Sequence, residues 1–404
     1  MSAVLTVNAG SSSLKFALYP LLGAAEGANP AARVGAPALA GVVEGLEPRG
    51  APRLRWRAGA EEGAEAVAAE GGEGPFDAAL RATRALLGAR LAGAPLAAVA
   101  HRVVHGGERW RRTVALTPAL LNELDALCPL APLHQPHNLA GARAWMSALP
   151  GVPQVACFDT AFHATLPPLE TTLALSAEAR AGGVRRYGFH GLSYQYVSEA
   201  LALLTPRGLG RVVMAHLGNG ASVCAAVGGE SRATSMGFSA LDGLMMGTRC
   251  GALDPGVLLH LLARGWDAAR LERLLYRESG LLGVSGESAD MRALRQSGGA
   301  GAALAASLFA YRVRREVGAQ VACVGGLDVL AFAGGIGERD PVLRAEVCEG
   351  LSFLGLSLDP ARNASAVGAD PRPIHAPESA VEVWVVPTDE GRVAAVEAVA
   401  ALDL

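Results

Sequence analysis

The sequence predicts an α/β chain made of two halves built on one plan, and three observations lead there. At 404 residues the chain is long for a single hydrophobic core and comfortable for two. A strand–turn–strand grammar at residues 4–20 (VLTVNAGSSSLKFALYP) returns about half the chain later at 212–227 (VVMAHLGNGASVCAAV). Well downstream of each hairpin, an apolar strand runs into paired glycines: AAVAHRVVHGGE at 97–108 and DVLAFAGGIGE at 328–338. The match is one of pattern, not identity, and it signals an internal duplication.

The elements follow in order. Residues 4–7 are apolar and partly β-branched, and Asn8 to Ser13 carry turn chemistry. Leu14, Phe16 and Leu18 then alternate with Lys15, Ala17 and Tyr19, the period of a strand. Residues 23–75, rich in Gly, Ala, Glu and Arg, predict weak strands and an exposed loop. Apolar positions at i, i+3, i+4 and i+7 predict helices over 76–91 and 190–204. In the second hairpin the strand runs to Ala215, and His216 to Gly220 make the turn. Asp340-Pro341 reads as an N-cap and first helical proline, residues 381–387 as a strand, and the last dozen as a helix.

Composition excludes several classes. The net charge is −3, with no basic stripe or block of like charge, which argues against nucleic acid and anionic membranes as partners. There is no basic, apolar leader and no apolar run of 18 residues, so the expectation is a soluble, cytoplasmic protein. The six cysteines are scattered, with no Cys-x-x-Cys pair and no zinc spacing, and read as buried free thiols in a reducing compartment.

Several stretches carry chemistry. Lys15 is the chain's single lysine against 34 arginines, and it stands just past a Gly-Ser turn. Gly10 and the serines offer backbone N–H groups and hydroxyls to anionic oxygens. A compact ammonium reaches phosphate differently from a forked guanidinium. A P-loop is excluded because Leu14, not Gly, precedes Lys15, and no dinucleotide fingerprint follows a strand. Only GGIGERDP opens a helix, where an N-terminus could meet a phosphate or ribose. Seven of nine histidines fall between 101 and 216, mostly in turn contexts, and read as hydrogen-bond donors around an anion rather than a metal set. Arg102 and Arg249 stand like bidentate anion clamps. Asp159 at a strand end can orient a nucleophile, hold Mg2+ through water, or cap a turn; Glu390 is a candidate Mg2+ ligand.

These segments together resemble the acetate kinase family, the short-chain carboxylate kinases, along nearly the whole chain. The resemblance is carried by NAGSSSLKF, HRVVHGGE, PLAPLHQPHNL, FDTAFH, YGFHGLSYQYV, HLGNGAS, TSMGFSALDGLMMGTRCGALDPG, GESADMR, GGIGE and VVPTDEG. It implies two duplicated ribonuclease H-like domains, the architecture of actin, sugar kinases and heat-shock chaperones, with the active site in a cleft between them. Residues 1–160 with 393–404 would form the first domain and 161–392 the nucleotide-binding second. It further implies a homodimer.

The resemblance also implies roles. Asn8 and Glu390 match the Mg2+ site, with Mn2+ as a substitute metal. Lys15, Ser11 and Ser13 match phosphate contacts. Arg102 matches the substrate-carboxylate arginine, and Val104, Leu133 and Phe189 the wall for the acetate methyl. Asp159 matches the essential acid, His190 and Arg249 the transition-state stabilisers, and His134 a further active-site histidine. His216, Leu217, Gly218, Asn219 and Gly220 match a phosphate turn for ATP or ADP. Asp290, Met291 and Arg292 match the adenosine triplet, and Gly335, Ile336, Gly337, Glu338 and Arg339 the second nucleotide loop. Departures from the family pattern are Met291 where an aromatic is frequent, Arg339 for Asn, Ala240 for a pocket proline, and TDEG for TNEE.

The implied activity is reversible, Mg2+-dependent transfer of the ATP γ-phosphoryl group to acetate, giving acetyl phosphate and ADP. Two alternatives stand beside it. One is an ATP-driven conformational switch on the same architecture, which would have no use for an acyl-acceptor site. The other is a propionate or butyrate kinase, which Ala240 leaves open.

Overall fold

The computed structural model describes residues 2–23, 29–47, 50–91 and 93–404, and these fall into two compact units. The first takes in the chain to Ala161 and returns for Asp389–Leu404, and the second spans Phe162–Thr388.

The first unit holds β1 (Ala3–Ala9), β2 (Ser13–Pro20), β3 (Leu39–Glu44), β4 (Arg53–Ala58), β5 (Glu61–Ala66), β6 (Leu96–Val103), β7 (Val114–Ala115) and β8 (Gln154–Phe158). They form one sheet in the order β5-β4-β3-β2-β1-β6-β8-β7. β1, β2 and β3 are an antiparallel meander, while β1, β6 and β8 run parallel. A parallel strand covered on both faces reads as a continuous apolar run, and β1 (AVLTVNA) is buried at every position but Asn8. The helix Gln135–Ala148 packs on β1 and β6, and the closing helix Glu390–Leu402 packs on β1, β6 and β8. Gly141 lets the first of these approach closely: a Cβ there would stand 2.5 Å from the Ala9 Cβ.

The second unit adds β9 (Arg211–Leu217), β10 (Ala221–Val227), β11 (Glu230–Thr234), β12 (Val329–Ala333), β13 (Arg372–Pro373) and β14 (Glu382–Val385), in the order β11-β10-β9-β12-β14-β13. Again three strands form an antiparallel meander, and β9 pairs in parallel with β12, which in turn pairs in parallel with β14. The run β3-β2-β1-β6-β8 is therefore repeated as β11-β10-β9-β12-β14, each with a short antiparallel strand outside the last. This topological repeat is what the two matched stretches in the sequence foreshadow. The 25-residue helix Ala300–Val324 covers β9, β10 and β11.

Predicted helices over 76–91 and 190–204 appear as Pro75–Leu91 and Gly191–Leu204, and Asp340 caps Pro341–Glu349 by accepting from the Leu343 N–H at 2.9 Å. The hairpin turns are tighter than expected. His216 and Leu217 are strand residues, in register with Ser222 and Ala221, so only Gly218–Gly220 turn. Likewise Asn8 and Ala9 pair with Lys15 and Leu14 in the first hairpin. A polar side chain ended each apolar run in the sequence, but strand pairing is a backbone property and carries on through it. In 23–75 the weak strands are β3, β4 and an almost wholly exposed β5, and the expected loop lies partly at 24–28 and 48–49, outside the described residues. No helix among the described residues is long and apolar enough to cross a membrane.

Candidate active site

In the first unit, the carboxyl ends of the parallel strands gather the candidate residues, where ligands commonly bind in α/β sheets. Asn8 stands near the end of β1, Arg102 near the end of β6, Asp159 immediately after β8, and Glu390 opens the closing helix. Arg102 ties them together. Its Nε donates to Asp159 Oδ1 at 2.9 Å, its Nη2 donates to Oδ2 of the same carboxylate, and its Nη1 donates to Asn8 Oδ1 at 3.3 Å. Glu390 Oε2 lies 3.8 Å from Nε. Asp159 is 1 % exposed, and a buried carboxylate is costly without a paired cation such as Arg102. Burial opposes the charge on Arg102, but the Asp159 and Glu390 carboxylates outweigh it and hold the guanidinium pKa above its ordinary value. Lys15 is exposed on β2 opposite Asn8, and among the described residues it makes no ion pair.

The loop after β6 is pinned by two side chains that sequence reasoning passed over. Asn138 Oδ1 accepts from the Val104 N–H at 3.0 Å, and its Nδ2 donates to the Ala9 carbonyl at 2.6 Å. Gln135 accepts from the His105 N–H at 3.1 Å and donates to the His105 carbonyl at 3.0 Å. The signal was available: Gln135 and Asn138 are polar residues three apart on the buried face that Leu139, Ala142 and Trp145 continue. Val104 is buried, while Leu133 and His134 are half-buried just before that helix. Ser11 is exposed in the first hairpin, where the Gly10 N–H donates to the Ser13 carbonyl at 2.8 Å.

In the second unit the Gly218–Gly220 turn brings another set together. His190 has φ of 59°, a left-handed conformation rare outside glycine, just ahead of the helix Gly191–Leu204. Its Nδ1 lies 2.9 Å from Ser222 Oγ, and its ring stacks on His216 at a centroid distance of 4.3 Å. His216 Nδ1 is held by Ser193 Oγ at 2.7 Å. A Cβ at Gly220 would stand 3.2 Å from His190 Nε2 and 4.0 Å from Arg249 Nη1, so the bare turn leaves room for both side-chain heads beside it. Arg249 Nη1 donates to the Ala240 carbonyl at 3.0 Å. Ser193 and Ser222 had no signal in the sequence beyond their place in a helix and a strand.

Beside this turn lies a cavity of about 780 Å3. Its lining includes Gly218, Asn219, Asp290, Met291, Arg292, Gly335, Ile336 and Arg339, all singled out from the sequence, together with Ala289, Arg295, Gln296, Asp340, Pro341 and Val342. Met291, Ile336, Pro341 and Val342 give it apolar surface, and three arginines and two aspartates give it charge. Arg292 Nη2 and Asp290 Oδ2 pair at 2.7 Å, and the hydrogen bond from Arg292 lowers the Asp290 pKa. Arg295 pairs with Asp340 at 3.2 Å and with Glu346 at 3.0 Å. Gly337 and Glu338 are not in the lining. Gly337 is buried, and Glu338 Oε1 accepts from the Gly334 and Thr388 N–H groups at 2.9 and 3.2 Å. Phe189 is buried in the second unit, its carbonyl 2.9 Å from His163 Nε2.

The histidines divide. His101, His105 and His163 are buried, and burial pushes each pKa down to about 4. His101 is held by Gln154 at 2.7 Å and His163 by Ser231 at 2.9 Å, so these are core groups rather than anion donors. Cys157, Cys224 and Cys348 are buried thiols pushed up to about 12 by burial. Among the described residues no group of three His, Cys, Asp or Glu side chains is disposed to hold a metal ion.

The acetokinase family model matches residues 3–396. The acetate kinase of Methylocella silvestris is 45 % identical over 403 residues, covering 99 % of this chain and 98 % of that protein. Among solved structures, the acetate kinase of Porphyromonas gingivalis superposes with a TM-score of 0.85 at 38 % identity over the whole of both chains. A propionate kinase from Francisella tularensis subsp. tularensis does so with a TM-score of 0.87 at 33 % identity, covering 98 % of this chain and 99 % of its own. A match of this length and identity is one of ancestry as well as of fold, and the chain belongs to the acetokinase family, whose members are kinases.

Proposed function

We propose that this kinase transfers the γ-phosphoryl group of ATP directly to acetate, reversibly, giving acetyl phosphate and ADP. The observation that carries the reading is the Arg102 constellation. A guanidinium held along its Nε–Nη2 edge by Asp159 and at Nη1 by Asn8 still has an N–H left on each terminal nitrogen for the carboxylate of a small acid. An ATP-driven switch would have no use for such a clamp.

An acetate oxygen attacks the γ-phosphorus; the new O–P bond forms as the bond to the β,γ-bridging oxygen breaks, and no proton is transferred. Arg102 binds and orients the acid, and Asp159 orients Arg102. Val104, Leu133 and Phe189 wall the methyl. The charge spread over the transferring group falls to Lys15, His190 and Arg249. Ser11, Ser13 and the Gly218–Gly220 turn donate to phosphate oxygens, His216 stacks on and steadies His190, and His134 adds a donor. The second-unit cavity takes adenine and ribose, with Met291 and Ile336 against the base.

The oxygen donors of Asn8 and Glu390 suit Mg2+, a hard cation usually held by one or two carboxylates with substrate phosphates. When bound, Mg2+ neutralises phosphate charge. A homodimer is part of the reading: the apolar helix Pro255–Ala263 (PGVLLHLLA) buries none of its residues, and Leu259 is 68 % exposed. The compartment proposed is the cytoplasm.

The test is a hydroxamate assay with ATP, Mg2+ and each acid from acetate to butyrate, read as kcat/KM. Acetate-dependent acyl hydroxamate is expected, with propionate lower by about ten-fold or more, the worth of one methylene. ATP hydrolysis indifferent to any acid, with no hydroxamate, overturns the reading. A second reading, propionate as the preferred acid, is favoured by Ala240: a smaller lining residue leaves room for one more carbon, and kcat/KM highest for propionate would establish it.

A further inference from the structure

Among the described residues Arg344 is the one fully buried arginine, at 0 % exposure, and it makes no ion pair. Burial pushes its pKa down to about 10, which leaves it charged at neutral pH. A buried cation is costly unless its donors are satisfied. Here they go to carbonyl oxygens. Nη1 donates to the Gly337 carbonyl at 2.8 Å, Nη2 to the Asn363 carbonyl at 2.7 Å and the Ala366 carbonyl at 3.4 Å, and Nε to Asn363 Oδ1 at 2.8 Å. Asn363, itself buried, passes the connection on by donating to the Pro341 carbonyl at 2.8 Å.

The two side chains thus hold the Gly337 and Pro341 carbonyls. Between and beside those residues, Gly335, Ile336, Arg339, Asp340, Pro341 and Val342 form one wall of the large cavity. A neutral or apolar side chain would fill the same space without that cost, so the charge answers a need for fixed carbonyls.

We infer that Arg344, through Asn363, is a positioning residue for the nucleotide: it fixes the 334–342 wall so that its backbone and side chains meet the nucleotide preformed. The inference rests on the reading of that cavity as the nucleotide site. The test is calorimetric titration with MgADP alongside steady-state kinetics. No MgADP binding by the unaltered protein removes the nucleotide reading and the inference with it. If it binds, Arg344→Lys, which keeps the charge but loses the fork, is expected to weaken MgADP at least tenfold while KM for acetate moves less than twofold. Unchanged MgADP affinity, with or without a lower melting temperature, overturns the inference and leaves the nucleotide reading standing. Should Arg344→Lys not fold, Asn363→Ala decides: it loses the contact to Pro341 and is expected to weaken MgADP by a similar factor, and full affinity overturns the inference.

Discussion

Arg102 is tied to two carboxylates and an amide in one corner of the first unit, and Arg249 is tied to a backbone carbonyl in the second. Their different anchoring separates their proposed jobs. A clamp must be rigid before substrate arrives, whereas a group that stabilises transferring charge acts only in the transition state. Arg249→Ala is therefore expected to lower kcat by about 10²–10³-fold, the worth of one preorganised donor, with far-UV circular dichroism unchanged. Near-normal kcat would remove Arg249 from the reaction. Lys15→Arg should raise KM for ATP, because a fork replaces a point charge beside the first turn; full affinity and rate would make the lone lysine an accident of composition. The buried histidines give a stability signature. His101, His105 and His163 have folded-state pKa values near 4 against 6.5 for the exposed group, so between those values the unfolded chain binds more protons than the folded one. Stability is then complete above about pH 6.5 and falls as pH drops towards 4, by about 1.4 kcal/mol per pH unit for each histidine. Denaturant midpoints flat across that window would show that these rings are protonated in place. The sequence marked all the histidines alike because burial, which separates core rings from His190 and His216, is a property of the fold and not of the neighbours in the chain.

At the scale of elements, close approach between the helix Gln135–Ala148 and β1 sets the loop that carries Val104 and His105, since Asn138 bonds both Ala9 and Val104. Gly141→Ala places a methyl 2.5 Å from the Ala9 Cβ, so the helix must move. A loss of about 1–3 kcal/mol is expected, read as a lower melting temperature, with KM for acetate raised through the shifted loop. A variant as stable as the parent would mean the helix has slack. The helices at 75–91, 191–204 and 341–349 were legible because periodicity and caps are local. The ends of the two hairpins were not, since Asn8 and His216 look like turn residues until their cross-strand partners are known. Gln135 and Asn138 were written in the sequence as polar residues on a buried face, and only the β1 carbonyl they reach gives them a purpose.

At the scale of the molecule, one five-strand order occurs twice, and the two copies carry different chemistry: carboxyl and amide oxygens about an arginine in the first, a glycine turn and a cavity of about 780 Å3 in the second. The repeat was legible as matched punctuation at 4–20 and 212–227. The sheet order was not, because parallel neighbours such as β1 and β6 are far apart in sequence. The exposed leucines of Pro255–Ala263 belong to this scale too. Leu259→Glu should turn the proposed dimer into a monomer by sedimentation, and an unchanged mass would place the interface elsewhere. In the proposed reaction an oxygen of the acid itself attacks the γ-phosphorus. This attack is tested most directly with 18O-labelled acetate, ATP and Mg2+, and mass analysis of the products. Acetyl phosphate whose bridging oxygen carries 18O, with unlabelled ADP, is the expected result; acetyl phosphate absent, or formed without label at the bridge, would contradict the account.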